Sequence, residues 1–173
     1  MTIEIVDYDP SWPERAEREI VRIRTLLPGV LNAVEHFGST SVPGLAAKPV
    51  IDLMASVDAL ALVSARDAEL AAAGLRFVDA GMPERLFYQD VDRGLNFHVV
   101  TADSWENRKE RLFRDHLRAH PEDAAAYAEV KRRLAATTDD VARYTRGKTE
   151  LIQRVMDEAR AARGLPPVPV WEE

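Results

Sequence analysis

HFGSTSVPGLAAKPVIDLMAS, residues 36–56, is the stretch on which the reading of this chain turns. A hydroxyl-rich glycine turn, Gly38-Ser39-Thr40-Ser41, is followed by two more punctuating residues, Pro43 and Gly44. The segment then passes through Lys48-Pro49 into an apolar run broken by one carboxylate, Asp52. Val50 to Val57 is apolar on both faces except at Asp52 and Ser56, as expected of a central strand covered on both sides. An acid in that position either does chemistry on something held by the turn or holds the turn itself. Glycine after a strand lets the backbone bend tightly and approach a ligand, because no Cβ intervenes. Successive N–H groups in such a turn favour anions, and the Ser39, Thr40 and Ser41 hydroxyls add donors. A short helix opening at Ser41-Val42-Pro43 would add free N–H groups and a favourable dipole. Lys48 would supply a full positive charge, which makes phosphate the natural guest.

Outward from this stretch, the periodicities set the remaining elements. Residues 2–7 alternate as a short strand or extended arm. Trp12, Ala16, Ile20, Ile23 and Leu27 recur at helical spacing until Pro28-Gly29 stops the helix. Val34 to Phe37 is a short strand that ends at the glycine turn. Asp58 is the expected N-cap of an alanine-rich helix ending at Gly74. Leu75 to Asp79, Arg85 to Asp90 and Leu95 to Thr101 read as strands separated by the hairpin turns Gly81-Met82-Pro83 and Asp92-Arg93-Gly94. From Ser104 the period turns helical: Trp105, Leu112, Phe113 and Leu117 mark one helix, and Pro121 opens the next. Val141, Tyr144, Leu151, Ile152, Val155 and Met156 define a long final helix. Strands first and helices after predict an α+β fold: one domain over 1–173, with a sheet lobe (about 1–103), a helical lobe (about 104–163) and an extended proline-rich tail (164–173). The tail either packs back through Trp171 or stays loose.

The bulk numbers narrow the function classes. A chain of 173 residues can enclose a full core. Cysteine is absent, which removes disulfide frameworks and thiolate chemistry and fits a cytoplasmic location. The N-terminus has no basic and apolar signal pattern, and no apolar run approaches the roughly 20 residues that span a bilayer, so no membrane association is expected. The net charge of −6 argues against general nucleic-acid binding. Basic residues are nevertheless concentrated in two runs, Arg108 to Arg118 and Lys131 to Lys148. They are either solvated helix faces or the source of a few cations turned inward toward an anionic ligand.

GSTSVPGLAAKPVID, residues 38–52, closely resembles the signature of the GrpB family, whose members have a nucleotidyltransferase-like fold. PERLFY (83–88), NFHVV (96–100), FRDHLRAHPE (113–122) and the pair Tyr144 and Lys148 extend the resemblance over most of the chain. The family also occurs fused to dephospho-CoA kinase, which implies nucleotide or coenzyme metabolism. The fold implied is a nucleotidyltransferase-like mixed sheet with helices on one face and a C-terminal helical lobe. Enzymes of that fold place a Gly-Ser pair against the nucleotide phosphates, two acids spaced Asp-x-Asp on the next strand to hold metal, and a third acid on a later strand. Gly38-Ser39 match the first element and Asp52 the first acid, but Met54 stands at the second, and the inward polar candidate on the later strand is His98.

One carboxylate cannot make a two-metal clamp, although Mg²⁺ can bind through a single carboxylate with substrate phosphates and water. The first reading is therefore a protein that binds a nucleotide or other phosphorylated small molecule between the sheet and the helical lobe, with phosphoryl or nucleotidyl transfer assisted by Mg²⁺ on Asp52. Phosphate would be held by the turn at 38–41, Lys48, Arg85, Arg114 and Lys148. Tyr144, one turn before Lys148 on the same helix face, either stacks on a base or packs in the core. The alternative is a catalytically inactive ligand-binding or protein-interaction module on the same scaffold. A third reading uses His36, Asp52 and His98 as a transition-metal set, with His98 as general base, against the plainer one in which each histidine bonds a backbone carbonyl. Glu84, Asp90 and Asp92 would be substitute metal ligands or exposed hairpin residues. The sequence does not specify the oligomeric state.

Overall fold

The structure, a computed structural model, describes residues 2–171. The apolar run around Asp52 forms strand β2 (Ile51–Val57), near the middle of a five-stranded sheet. The other strands are β1 (Ala33–Phe37), β3 (Arg76–Phe77), β4 (Leu86–Asp90) and β5 (Leu95–Thr101), in the order β1-β2-β5-β4-β3. β2 and β5 pair in parallel, and every other neighbouring pair is antiparallel. This is the mixed sheet and the α+β class expected from the sequence.

Strand alternation gives the sheet two different faces. Ile51, Leu53, Ala55 and Val57 of β2 and Leu95, Phe97 and Val99 of β5 point to one side. There they pack under helix α1 (Trp12–Leu26) and the short helices α2 (Ala61–Ser64) and α3 (Asp67–Ala72). Trp12, Ala16, Ile23 and Leu27 form the buried stripe of α1, and Pro13 sits in its first turn, where a missing N–H costs nothing. Each fully buried aliphatic or aromatic side chain here contributes about 1.5–3 kcal/mol. The other face carries Asp52, Met54 and Ser56 beside Asn96, His98 and Val100. It looks toward α4 (Lys109–Ala119), α5 (Pro121–Thr137), α6 (Val141–Gly147) and α7 (Thr149–Ala161), whose own core includes Leu117, Tyr127, Ile152, Val155 and Met156.

Several local expectations are corrected. The helix expected from Asp58 to Gly74 is two pieces, with only Val63 and Leu70 buried to hold them. Asp58 does not cap it, because its carboxylate accepts from Asn32 Nδ2 at 2.8 Å. Residues 2–7, read as a short strand or an extended arm, form no named strand and bridge to Ala47 at Val6, and the strand expected over 75–79 is reduced to Arg76–Phe77. The long final helix divides at Lys148 into α6 and α7. Gly147 marks the join; a Cβ there would lie 2.6 Å from Leu134 Cδ2, so glycine lets α6 close on α5. The described part of the tail packs back. Val170 is buried, donates to Gln153 and accepts from Lys109 Nζ at 2.8 Å, while Trp171 Nε1 donates to Thr149. Residues 172 and 173 of that tail lie outside the described residues.

The helical lobe is fastened to the sheet by charge. Glu35 on β1 accepts two hydrogen bonds from Arg111, at 3.0 Å each, and one from Arg114 at 2.7 Å. Burial pushes the Glu35 carboxyl up, but the two guanidiniums more than offset this and hold it below the usual range. Removing the acid would leave Arg111 without a carboxylate and Arg114 with Asp115 alone. Glu35→Ala is expected to cost about 2–4 kcal/mol in urea unfolding, somewhat less than the roughly 3–5 kcal/mol for breaking a fully buried pair because Glu35 is itself partly exposed.

Candidate functional site

At the end of β1 the chain turns through Gly38 with φ 71° and ψ −175°, a region essentially restricted to glycine. The reason for glycine is also steric: a Cβ at this position would lie 2.5 Å from Asp52 Oδ2. The bend and the acid are therefore in direct contact. Register places Asp52 between Phe37 on β1 and Asn96 on β5. Asn96 Nδ2 donates to Asp52 Oδ1 at 3.0 Å, and Gln89 Nε2 donates to Asn96 Oδ1 at 3.0 Å. This chain of amides across three strands fixes one carboxylate oxygen and leaves the other toward the bend.

The 3-10 turn at Ser39–Ser41 spends part of its polarity on itself. Ser41 N donates to Gly38 O at 3.1 Å, Val42 N to Ser39 O at 3.2 Å, and the Ser41 hydroxyl to Gly38 O at 2.5 Å. Thr40 Oγ1 is 2.8 Å from His36 Nε2, and the Ser39 hydroxyl sits against the Tyr127 oxygen. The anion nest expected here is thus reduced, because two of its amides close the turn. The positive charge comes instead from side chains across the cleft.

A cavity of about 260 Å³ lies over the bend and Asp52. Tyr127 and Lys131 enter it from α5, Tyr144 and Lys148 from α6 and the joint with α7, and Lys48 from the segment before β2. Lys48 Nζ and Lys148 Nζ lie over the Tyr144 ring, at 4.7 and 4.5 Å from its centroid, and Lys131 Nζ lies 4.6 Å from that of Tyr127. The ring quadrupoles attract the ammoniums without supplying hydrogen-bond acceptors. Lys131 is 2% exposed, and its Nζ has no hydrogen-bond partner.

Burial acts on Asp52 and on all three lysines, and like-charge repulsion adds to it at Lys131 and Lys148. Burial pushes Asp52 up to about 6, against the Asn96 hydrogen bond and the attraction of Lys148, Lys48 and Lys131. Burial, then Lys148 and Arg132, bring Lys131 down to about 7. Burial and Lys48 bring Lys148 down to about 8, and burial lowers Lys48 itself. The site sets three lysines, one buried and two partly buried, against one carboxylate.

The structure brings together Gly38, Ser39, Thr40, Lys48, Asp52, Tyr144 and Lys148 from the residues singled out in the sequence. It does not bring in the others. Although β2 and β5 are neighbours, Asp52 stands opposite Asn96, and His98 stands opposite Met54, with its ring stacked 4.5 Å from Phe87 and edge-on to Phe37. His36 alternates to the other face of the sheet and bonds Thr40, so His36, Asp52 and His98 do not converge. Arg114 is spent on Glu35, Asp115 and the His36 carbonyl. Arg85 pairs with Glu110 at 2.5 Å and lines a different cavity. Ser41 faces the turn. Tyr144 is 2% exposed with two lysines on its ring, which leaves no face for a base. Asp90 is buried against Gly74 and bonded by Arg22, while Glu84 and Asp92 are exposed. Among the described residues, ligand atoms of His116, Asp123 and Glu158 do gather, but Arg154 donates to both carboxylates there.

Sequence reasoning missed Asn96, Tyr127 and Lys131. The available signal was a repeated spacing: Tyr127 precedes Lys131 by four residues, as Tyr144 precedes Lys148, and each pair shares one helix face.

Two substitutions test this geometry. Gly38→Ala is expected to cost about 1–3 kcal/mol from backbone strain alone, more with the clash against Asp52, read as a lowered unfolding midpoint. Lys131→Met is expected to stabilise the free protein. A lysine with a lowered folded pKa opposes folding below about 7, and the penalty fades as pH rises toward the ordinary lysine value. The gain should be on the order of 2 kcal/mol at pH 6.5 and vanish above pH ~10.5, measured by urea unfolding across that range.

The GrpB protein family profile matches residues 2–158. A UPF0157 protein of Halalkalibacterium halodurans is 40% identical over 136 residues, covering 78% of this chain and 70% of that protein. A dephospho-CoA kinase of Mycolicibacterium paratuberculosis is 30% identical over 158 residues, 75% of this chain and only 39% of that protein. The crystal structure of the conserved protein GrpB from Enterococcus faecalis superposes with a TM-score of 0.85 at 30% identity, over 93% of this chain and 99% of that one. With the profile running across the sheet and nearly all of the helical lobe, the chain belongs to the GrpB family.

Proposed function

We propose that this chain binds a phosphorylated small molecule, a nucleotide or coenzyme precursor among them, in the cleft between the sheet and the helical lobe. The observation that carries the reading is the convergence of Lys48, Lys131 and Lys148 on one cavity with a single facing carboxylate. Ammoniums held close together in a partly buried site repel each other and are poorly solvated, which costs stability unless an anion arrives. Phosphate satisfies lysine as a compact point charge with several acceptor oxygens. The similarity to a segment of a dephospho-CoA kinase supports the same ligand class without naming the compound.

The donor set does not suit the magnesium ion that nucleotidyltransferases use. Asp52 is the sole acid lining the cavity, one of its oxygens is bonded to Asn96, and three lysines surround it. Met54, where a second acid would stand, is fully buried among Phe37, Val100 and Trp105. A thioether offers Mg²⁺ nothing, since that ion is held by carboxylates, phosphates and water. Met54 thus favours ligand binding over metal-assisted transfer.

A thermal-shift series tests this reading with inorganic phosphate, a nucleoside monophosphate, ATP, CoA and dephospho-CoA. At a hundredfold excess over Kd, a true ligand adds about 2.7 kcal/mol. For a chain of this size that raises Tm by roughly 5–10 °C. Lys148→Met should abolish the shift. A panel in which no phosphorylated compound raises Tm would show that the lysines serve another purpose.

A further inference from the structure

We infer that Lys48, Lys131 and Lys148 together replace a divalent cation in this cleft, so that its ligand carries two or more linked phosphoryl groups and binds without metal. The inference rests on the reading of the cleft as a phosphate site and goes further by assigning the charge state of the guest and the means of neutralising it.

Three features lead to it. The first is charge. A single phosphate ester carries about −1.5 to −2 at neutral pH and balances the three ammoniums only while Asp52 stays ionised, whereas linked phosphoryl groups match all three once Asp52 is protonated. The second is arrangement. Two ammoniums share the Tyr144 ring while the third lies over Tyr127, so the guest meets two separate ring-backed positions. The third is size. At about 260 Å³ the cavity is smaller than the ~300–1,000 Å³ of sites that engulf drug-sized ligands. Phosphoryl groups fit inside, with the rest of the molecule left at the mouth.

The buried Nζ of Lys131, with no hydrogen-bond partner, is the group that this ligand completes. The groups acting on it are Lys148 from the α6–α7 joint, Lys48 from the segment before β2, Asp52 from β2, and Arg132 on its own helix. The Tyr127 ring lies beneath it. A polyanion strengthens the protonated form of each lysine and the neutral form of Asp52, so binding takes up protons. Wild-type affinity therefore falls as pH rises above about 7, where free Lys131 begins to lose its proton.

Calorimetry with pyrophosphate as the probe tests the assignment at pH 7.5, in EDTA and in excess Mg²⁺, using Hepes and Tris to read the proton count. The expected results are binding in EDTA, no more than about a threefold gain from Mg²⁺, and net proton uptake. Lys131→Met should weaken binding at least about tenfold, the loss of one charge-assisted contact, while the variant remains folded. Lys131→Arg should bind in EDTA with a smaller proton uptake, the difference from wild type cancelling protons taken up by the probe itself. Binding seen only with Mg²⁺, or an unchanged Kd in Lys131→Met, overturns the inference and leaves the phosphate reading intact. Binding of a nucleoside monophosphate but not of pyrophosphate does the same. If phosphate, pyrophosphate and nucleotide all fail to bind with or without Mg²⁺, both fall.

Discussion

The contact between Asp52 and the bend at Gly38 constrains everything around it. A carboxylate on a central strand loses most of its water, and here one of its oxygens lies against backbone that only glycine permits. One oxygen is bonded by Asn96, which is fixed in turn by Gln89. The remaining charge has to be met from across the cleft, and the elements that close it do so with lysines carried on tyrosine rings. The split of the final helix follows from the same need. Gly147 lets α6 approach Leu134 on α5, which brings the Tyr144 and Lys148 pair next to Tyr127 and Lys131.

The two basic runs have opposite fates, and the difference follows from side-chain chemistry. Between Arg108 and Arg118 the arginines are consumed within the fold: Arg111 and Arg114 on Glu35, Arg108 on Glu110, and Arg118 on the Ser41 carbonyl. A planar guanidinium forms fixed, bidentate pairs, which suits it to joining lobes. In the second run Arg132, Arg133, Arg143 and Arg146 stay at the surface, and Lys131 and Lys148 turn inward. Lysine's flexible stem and readily shifted pKa let it occupy a buried cleft that delivers no acid to each ammonium. Counting charges in the sequence did not separate these roles. The separation depends on which acids the fold delivers to each cation.

Legibility followed the range of the interaction. The glycine bend, the acid on the next strand and the order of strands and helices were readable because each is encoded in a few adjacent residues or in a repeated period. Lys48, Tyr144 and Lys148 were reached from local motifs in the same way. Asn96 and His98 show where this stops: both lie on the cleft face of β5, and only the pairing register decides that Asn96 meets Asp52 while His98 goes to Phe87. A slip of two residues would preserve the same alternation and exchange the two roles. Lys131 was missed for a related reason. It lies in a helix with a weak amphipathic pattern, and its spacing from Tyr127 gains meaning only beside the matching Tyr144 and Lys148 pair. Arg114 and Arg85 failed in the opposite sense, since their acidic partners, Glu35 and Glu110, lie 79 and 25 residues away.

Lys131 is the costliest of these choices for the free protein. A buried ammonium with no acceptor opposes folding, and a methionine of similar reach would fill the space without that penalty. A structural lysine would be expected to find a carboxylate, as the arginines of α4 have done. Tyr127 offers a π face, and Asp52, the acid that acts on Lys131 among the described residues, has one oxygen bonded by Asn96. On the proposed reading, an anion is what would relieve these ammoniums. Burial lowers all three lysines, and repulsion adds to this at Lys131 and Lys148, which lets the empty cleft be tolerated; a bound polyanion would offset that cost by favouring their protonated forms. The unfavourable energy of the empty cleft would then become part of its selectivity, because a neutral guest would leave it unrelieved.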